Sequence, residues 1–286
     1  MQMTIEGYKM KLSLSVRIAE AACKTKLNIP FSEIVAIAAE LGYSALCMRA
    51  SVAGVQSSQS ELEQIRSIVD QVGLVVSMVT ADFNIPQNND QAPEALKNIE
   101  PSLHVAEVLG SRMVRVCLKT EADIPHAQRA ADLAAERGMQ LVHQFHPTCL
   151  FEEVEQSVAV FKQINRPNVG LIYEPASLLM CGQEYGETTL SKILPWLMNV
   201  YVQNLVITAD GPDHLETWCL GDRPFQLLPY WDESGRGIDF KQVISGLKAV
   251  DYDGFLTVHQ AEGIVTAADA RAYAVQCKEW VDSLSL

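Results

Sequence analysis

PheLeuThrValHis at positions 255–259 is the stretch that decides the fold, because its apolar run ends on a polar, ligand-type residue. MetGlnLeuValHis at 139–143 ends in the same way. Two further runs, 169–174 and 200–203, end on a glutamate and a glutamine. Short apolar runs of this kind are typical of strands that are buried on both faces of a parallel sheet. Polar side chains at their carboxyl ends predict a functional site along one edge of that sheet.

Strand-like and helix-like segments alternate along the chain. The predicted strands are 11–16, 45–49, 74–79, 112–117, 139–143, 169–174, 200–206 and 254–259. The predicted helices are 32–41, 60–72, 93–109, 124–137, 151–164, 187–197, 239–250 and 267–283. This rhythm predicts an α/β fold, a single (β/α)8 TIM barrel over 1–286. A doubly wound sheet is the alternative, but the turn after the first strand, SerValArgIleAlaGlu, lacks the glycines of a phosphate turn.

One connection, 208–237, is much longer than the others and follows the seventh predicted strand. Long connections in compact barrels are commonly lids or binding loops, although a plain surface excursion is the alternative. We expect this loop to fold over the barrel and to bring Arg236, with Trp218 or Trp231, toward a ligand. His214 lies on the same loop and is expected to reach the site.

Composition narrows the class of partner. The formal net charge is −13, which disfavours nucleic acid and anionic membranes as partners. The seven cysteines form no CxxC pair, and the chain shows no signal peptide or long apolar span, so a cytoplasmic location is expected. A small molecule is therefore the expected partner, and a homo-oligomer is left open.

Four strand-end residues form a candidate metal site: His143, Glu174, Gln203 and His259. Imidazole nitrogens and a carboxylate oxygen bind borderline divalent metals, and an amide oxygen adds a weaker ligand. Residues two apart on a strand share a face, which places Thr257 and His259 together. Each of the four alone is commonly a hydrogen-bonded barrel residue, but all four fall at one end of the predicted barrel.

Three segments carry a resemblance to a known family: AlaAlaGluLeuGlyTyr at 38–43, GlyArgGlyIleAspPhe at 235–240 and AspTyrAspGlyPheLeuThrValHis at 251–259. With them the chain resembles the xylose-isomerase-like TIM barrel superfamily, which includes sugar phosphate isomerases/epimerases and the endonuclease IV fold. Members bind one divalent metal through Glu, Asp, His and Glu from strands five to eight, and their epimerases shuttle a proton between two metal-bound glutamates.

The resemblance implies one divalent ion at His143, Glu174, Gln203 and His259, where three carboxylates have become one. Nitrogen ligands favour Mn²⁺, Zn²⁺, Fe²⁺, Co²⁺ or Ni²⁺ over Mg²⁺. One carboxylate leaves such an ion net positive, which favours an anionic substrate. The expected substrate-binding residues are Arg49, Arg115, Arg236 and His214. For proton transfer His146 is the first candidate and Glu174 the second, with Lys119 weaker.

Three functions agree with these residues. The first is a metal-dependent isomerase or epimerase that acts on a small sugar or sugar acid through an enediolate. The second is a lyase, dehydratase or decarboxylase on an oxo sugar acid, which needs only one base. The third is a barrel that binds a sugar without catalysis. The acidic composition disfavours endonuclease activity.

Overall fold

The computed structural model describes residues 10–81, 90–260 and 262–284. Its strands are β1 Lys11–Ser15, β2 Ala45–Met48, β3 Val75–Thr80, β4 Met113–Val116, β5 Gln140–Gln144, β6 Val169–Tyr173, β7 Leu197–Val202, β8 Leu205–Ile207, β9 Asp213–Thr217, β10 Gly221–Leu227 and β11 Phe255–Val258. Its helices are α1 Phe31–Glu40, α2 Gln59–Gln71, α3 Glu94–Lys97, α4 Glu100–Leu109, α5 Ile124–Glu136, α6 Val154–Ile164, α7 Pro175–Met180, α8 Glu187–Ile193, α9 Phe240–Ala249 and α10 Ala267–Ser283.

Strands β1 to β7 and β11 form a closed parallel barrel, in which β11 pairs with both β7 and β1. The predicted TIM barrel is therefore confirmed. The predicted strand 200–206 is wrong in one respect, because β7 ends at Val202 and β8 belongs to a separate antiparallel sheet with β9 and β10. The predicted helix 93–109 is divided into α3 and α4, since Asn98 leaves the helical backbone region.

The barrel interior is a small apolar layer. It is formed by Cys47, Met78, Met113, Val142, Ile172 and Tyr201. Two-residue alternation puts the next inward side chains at the carboxyl ends of the strands. These are Arg49, Arg115, Gln144, Glu174, Gln203 and, from β11, His259. We call this end of the barrel the mouth.

The described residues also define the state of the cysteines and the character of the helices. All seven cysteines are free thiols. No helix in the described part of the chain is long and apolar enough to cross a bilayer.

Gly170, on β6, is expected to tolerate no side chain. A Cβ there would lie 2.4 Å from Met198 Sδ and 2.6 Å from the Trp196 carbonyl oxygen, and the backbone atom cannot move aside. We expect Gly170→Ala to lower the free energy of unfolding by about 1–3 kcal/mol, the usual cost of overpacking a core. Chemical denaturation measures this. Gly73→Asn is the control, since Gly73 faces open space and asparagine accepts its φ of +76°; an equal loss in both variants contradicts the packing argument.

Candidate active site at the barrel mouth

A cavity of about 410 Å³ opens at the mouth. Its wall is strongly cationic compared with the rest of this acidic chain. The cationic side chains on it are Arg17, Lys24, Arg49 and Arg115, and the carboxylates are Glu174 and Asp213. A small cavity with more guanidinium and ammonium groups than carboxylates is suited to an anionic ligand.

Glu174 is the centre of the polar network in this cavity. It directly follows β6 and is 1% exposed. Its carboxylate accepts hydrogen bonds from Gln144 Nε2 at 2.6 Å, Gln203 Nε2 at 2.5 Å and Ser177 Oγ at 2.5 Å. All three partners are donors, which suits this side chain, because a carboxylate accepts hydrogen bonds and does not donate them.

His259 lies at the floor of the mouth and is completely buried. Its ring stacks on Tyr201 with centroids 3.7 Å apart. Nε2 lies 3.2 Å from Arg17 Nη1, and Nδ1 lies 3.2 Å from Ser15 Oγ. A guanidinium group can only donate, so Nε2 is the acceptor and Nδ1 carries the proton. The lone pair that a metal would use is therefore directed at Arg17.

The arginines produce a positive field in the mouth. Burial first, and then repulsion by Arg17, Arg49 and Arg115, holds the pKa of His259 well below its usual value. Burial and the charge of Arg49 lower the pKa of Arg17 to about 10. Arg49 itself is partly balanced, because its Nε donates to both carboxylate oxygens of the buried Glu20 at 3.0 and 3.1 Å.

His146 lines the cavity and follows β5 by two residues. Its Nδ1 lies 2.8 Å from the Pro147 carbonyl oxygen, which can only accept, so Nδ1 carries the proton and Nε2 keeps its lone pair. Burial, reinforced by the charge of Arg115, lowers the pKa of His146 to about 3. The imidazole is therefore neutral near pH 7 and has a proton acceptor available.

His143 does not belong to the mouth. It is buried on the outer face of β5, where its ring stacks on Phe151 with centroids 3.9 Å apart. Its Nδ1 lies 2.7 Å from the Gln144 carbonyl oxygen. The residue of β5 that points into the cavity is Gln144. The expected metal ligand is thus displaced by one position, and the strand alternation that exposes Gln144 to the cavity turns His143 away from it.

The loop 208–237 contributes the hairpin of β9 and β10 to one wall of the cavity. Asp213, Leu215, Phe225 and Leu227 line it. Other residues expected to reach the ligand do not. His214 faces outward and bonds Asp222 Oδ2 at 2.8 Å, and Arg236 is exposed beside Ser234. Trp218 is 55% exposed at the hairpin tip, and Trp231 packs near Tyr273.

Glu152, a buried residue just before α6, binds the tip of the hairpin through hydrogen bonds. Its carboxylate accepts from the backbone N–H groups of Thr148 at 2.5 Å, Trp218 at 2.8 Å and Cys219 at 2.9 Å. Lys119 binds the connection between β5 and α6, since its Nζ donates to the Thr148 carbonyl oxygen at 2.7 Å. Lys119, the weaker candidate for proton transfer, therefore contacts the backbone of the cavity wall.

Arg17, Lys24 and Gln144 are among the cavity residues that the sequence did not indicate. Arg17 and Lys24 lie beyond β1, outside any apolar run, so the end of a run did not point to them. The sequence gives one weak indication for Arg17. It follows Ser15 by two residues, and two-residue alternation predicts the same inward face for both. No corresponding signal separated Gln144 from His143, because both faces of β5 are buried.

The fold and the site together define a parallel barrel whose mouth is lined by several cationic side chains. The chain belongs to the family described as Xylose isomerase-like TIM barrel, whose sequence model matches residues 35–280. Inosose dehydratase of Geobacillus thermodenitrificans is 25% identical over 156 residues, and that of Geobacillus kaustophilus is 28% identical over 166. These matches cover 54% and 57% of this chain and 50% and 52% of the relatives, so the chain spans about half the length of each.

Solved structures share the fold over nearly the whole chain. The probable 3-DHS dehydratase AsbF from Bacillus anthracis has a TM-score of 0.65 at 15% identity, covering 93% of this chain and 97% of that one. A barrel from Mycobacterium smegmatis in complex with magnesium has a TM-score of 0.65 at 14% identity, covering 99% and 100%. The IOLI protein with a bound zinc atom has a TM-score of 0.69 at 16% identity, covering 96% and 99%.

The donors of this mouth do not fit the divalent ion that such relatives contain. The strand-end positions hold two amides, one carboxylate and one imidazole. Glu174 already accepts three hydrogen bonds, and His259 Nε2 faces Arg17. A divalent ion would add positive charge beside several guanidinium groups, where Coulomb repulsion is strong because the surroundings are buried. The expected metal ligands therefore form a different kind of site.

The buried histidines predict a specific loss of stability in acid. The pKa of His143 and that of His146 are lowered by burial from 6.5 to about 3. Between these values the unfolded chain binds protons that the folded chain does not, so stability falls as pH drops below about 6.5. We expect each such histidine to contribute about 1.4 kcal/mol per pH unit to this slope.

Urea denaturation between about pH 7 and about pH 5 measures that slope. His143→Gln removes one titrating group and should make the slope shallower. The matched control is His104→Gln, because His104 is exposed on α4. If the free energy of unfolding depends on pH equally steeply in the His143 and His104 variants, the lowered pKa of His143 is ruled out.

Glu152 is expected to control the order of the hairpin. Glu152→Ala leaves three backbone N–H groups without their acceptor, which should cost about 3 kcal/mol or more and accelerate proteolysis within 208–237. Hydrogen exchange of the Trp218 and Cys219 amides locates the effect. Glu155→Ala is the control, because Glu155 is exposed and pairs only with Lys192 at the surface. If both amides stay protected from exchange in the Glu152 variant, Glu152 does not order the hairpin.

Proposed function

We propose that this chain is a dehydratase that removes water from a small polyhydroxylated carbonyl compound bearing an anionic group. The observation that carries the proposal is the cationic wall of the mouth beside one ionised carboxylate and one neutral imidazole. The curated relatives are named inosose dehydratases, and one structural neighbour is named a probable 3-DHS dehydratase. Those names support the reaction class, and the arginines support the anionic group.

The elimination needs one base that is free to accept a proton. His146 Nε2 takes the proton from the carbon next to the substrate carbonyl, and the electron pair forms an enolate. The double bond then forms as the C–O bond of the neighbouring hydroxyl breaks, and the imidazolium returns its proton to that hydroxyl, which leaves as water. Burial is the main cause of the low pKa of His146, and a bound anion would offset the second cause, which is repulsion from Arg115.

The remaining residues bind and orient. Arg115 and Arg17 are placed to hold carboxylate or phosphate oxygens and the enolate charge. Glu174 is the second choice as base, because its carboxylate oxygens are already engaged by three hydrogen-bond donors. The hairpin residues Leu215 and Phe225 shield the cavity from water.

An isomerase or epimerase, the first expectation from the sequence, shares the proton abstraction but returns the proton to carbon. Epimerases of this family use two glutamates for that transfer, whereas this mouth holds one ionised carboxylate at the strand ends. The elimination therefore agrees better with the residues present. The mass of the product separates the two reactions.

The test is incubation of the full chain with an inosose, a 2-keto aldonate and a ketose phosphate. We expect a product lighter by one water from an anionic compound, detected by mass spectrometry. His146→Gln should reduce turnover by about 10²-fold, the usual scale of acid–base catalysis, and should leave inhibitor binding unchanged. His104→Gln, an exposed histidine, is the control. A product of equal mass identifies an isomerase, and binding without conversion identifies a non-catalytic barrel.

A further inference from the structure

We infer that the mouth binds its ligand through arginine guanidinium groups in place of a divalent metal, with Arg17 as the central cation, so that ligand binding is metal-independent. The inference rests on the proposed function only for the anionic character of the ligand. It concerns how oxygen atoms are held in the mouth, and it does not depend on which bond is broken there.

Arg17 is fixed by the backbone that follows β1. A short 3-10 turn, Val16–Ala19, begins directly at the end of that strand, and the Arg17 backbone N–H donates to Ser15 Oγ at 3.3 Å. The turn carries the guanidinium over the floor of the mouth, where Nη1 lies 3.2 Å from His259 Nε2. The Arg17 guanidinium therefore lies beside His259 Nε2, where a metal ion bound by that histidine would lie.

Gln144 and Gln203 are suited to a site without a metal. Each directs its amide N–H at Glu174, and neither has a negative charge that would balance a divalent ion. Gln144 is 2% exposed, and its Oε1 has no hydrogen-bond partner among the described residues. A buried carbonyl oxygen without a partner is unfavourable, so a ligand hydroxyl that donates to it would remove that penalty.

The ligand class follows from these groups. Arg17, Arg115 and Lys24 line one cavity and can hold a carboxylate or phosphate through charge-assisted hydrogen bonds. Gln144 Oε1 accepts from a hydroxyl group. The volume of about 410 Å³ is at the lower end of ligand pockets. The chemistry selects a small hydroxylated carboxylate or phosphate ester that carries its own negative charge into the mouth.

The first part of the experiment titrates Mn²⁺ into chelator-treated full-length protein by calorimetry. We expect no stoichiometric binding. Zn²⁺ is titrated separately, because Glu152, Cys181 and Cys219 place possible ligand atoms within 4.8 Å of one another outside this cavity. The Cys219→Ser variant removes that second group, and zinc binding by the mouth should be absent there too. Stoichiometric Mn²⁺ binding by the wild-type chain that is lost in Glu174→Gln overturns the inference.

The second part titrates inorganic phosphate and tartrate in the presence of chelator. We expect saturable binding of at least one, weakened about tenfold or more by Arg17→Met, since lost charge-assisted hydrogen bonds cost about 1.5–3 kcal/mol. Arg17→Lys keeps the positive charge but loses the planar guanidinium group that can bind an anion through two parallel hydrogen bonds. This variant should bind the anion more weakly than wild type and more tightly than Arg17→Met. Arg271→Met, at an exposed surface pair with Glu40, is the matched control. Anion binding that appears only after metal is added overturns the inference.

A third variant tests whether a metal site can be restored in the mouth when the central arginine is removed. Arg17→Ala combined with Gln144→Glu and Gln203→His removes the central cation and restores a second carboxylate and a second imidazole. We expect this variant to acquire stoichiometric Mn²⁺ binding that the wild-type chain lacks. These readouts need no turnover, so an inactive protein that binds anions without metal refutes the proposed function and leaves this inference intact. A wild-type chain that binds Mn²⁺ as well as the triple variant does refutes the inference even if the protein is a dehydratase.

Discussion

The charge of Glu174 is the interaction on which the mouth depends. One carboxylate gathers donors from β5, from the residue after β7 and from α7, and so joins three separate parts of the barrel. It also lies within the field of Arg17, whose pKa it helps to raise against burial and Arg49. Without that negative charge, the carboxylates left near the arginines would include Glu20, which pairs with Arg49, and Asp213, which lines the cavity. Breaking such a network by removing one partner is costly, because the charges that remain stay desolvated.

Much of this architecture could be predicted from the sequence. The apolar runs and helical periodicities predicted the barrel, and two-residue alternation placed Glu174 and His259 correctly on the inward face. At β5 the end of the apolar run indicated the wrong residue, because Leu141 packs in the main core and Val142 packs inside the barrel, and both are apolar. An apolar run that is buried on both faces does not reveal which of its neighbours points inward.

The hairpin shows a different limit of prediction. The strands β9 and β10 contain Asp213, Glu216, Asp222 and Arg223, and their half-exposed residues do not alternate strongly enough to be recognised as strands. The chemistry of the side chains was therefore the sole reason to expect His214 and Arg236 near the ligand. His214 and Arg236 instead face solvent, while Leu215 and Phe225 form the wall. Burial by a neighbouring sheet determined these orientations, and the local sequence contains little information about it.

The family's fold is retained here around a different set of polar groups. Barrel closure depends on backbone pairing, which does not require particular side chains, and on the small interior layer, which contains none of the side chains at the mouth. The strand ends can therefore change their chemistry without a change of fold, as the separation of stability from function in such barrels requires. Relatives with magnesium or zinc and this arginine-lined chain can differ in mechanism while sharing the same scaffold.

The cationic wall has a further consequence at long range, because the chain as a whole carries a formal charge of −13. A small anion that approaches most of the surface is repelled, whereas one that approaches along the barrel axis meets a positive potential focused by low-dielectric walls. For the proposed anionic ligand, approach would therefore be directional, because the acidic exterior repels it and the cationic mouth attracts it. The balance between capture and release then depends on ionic strength, since dissolved salt screens the repulsive exterior more effectively than the buried arginines.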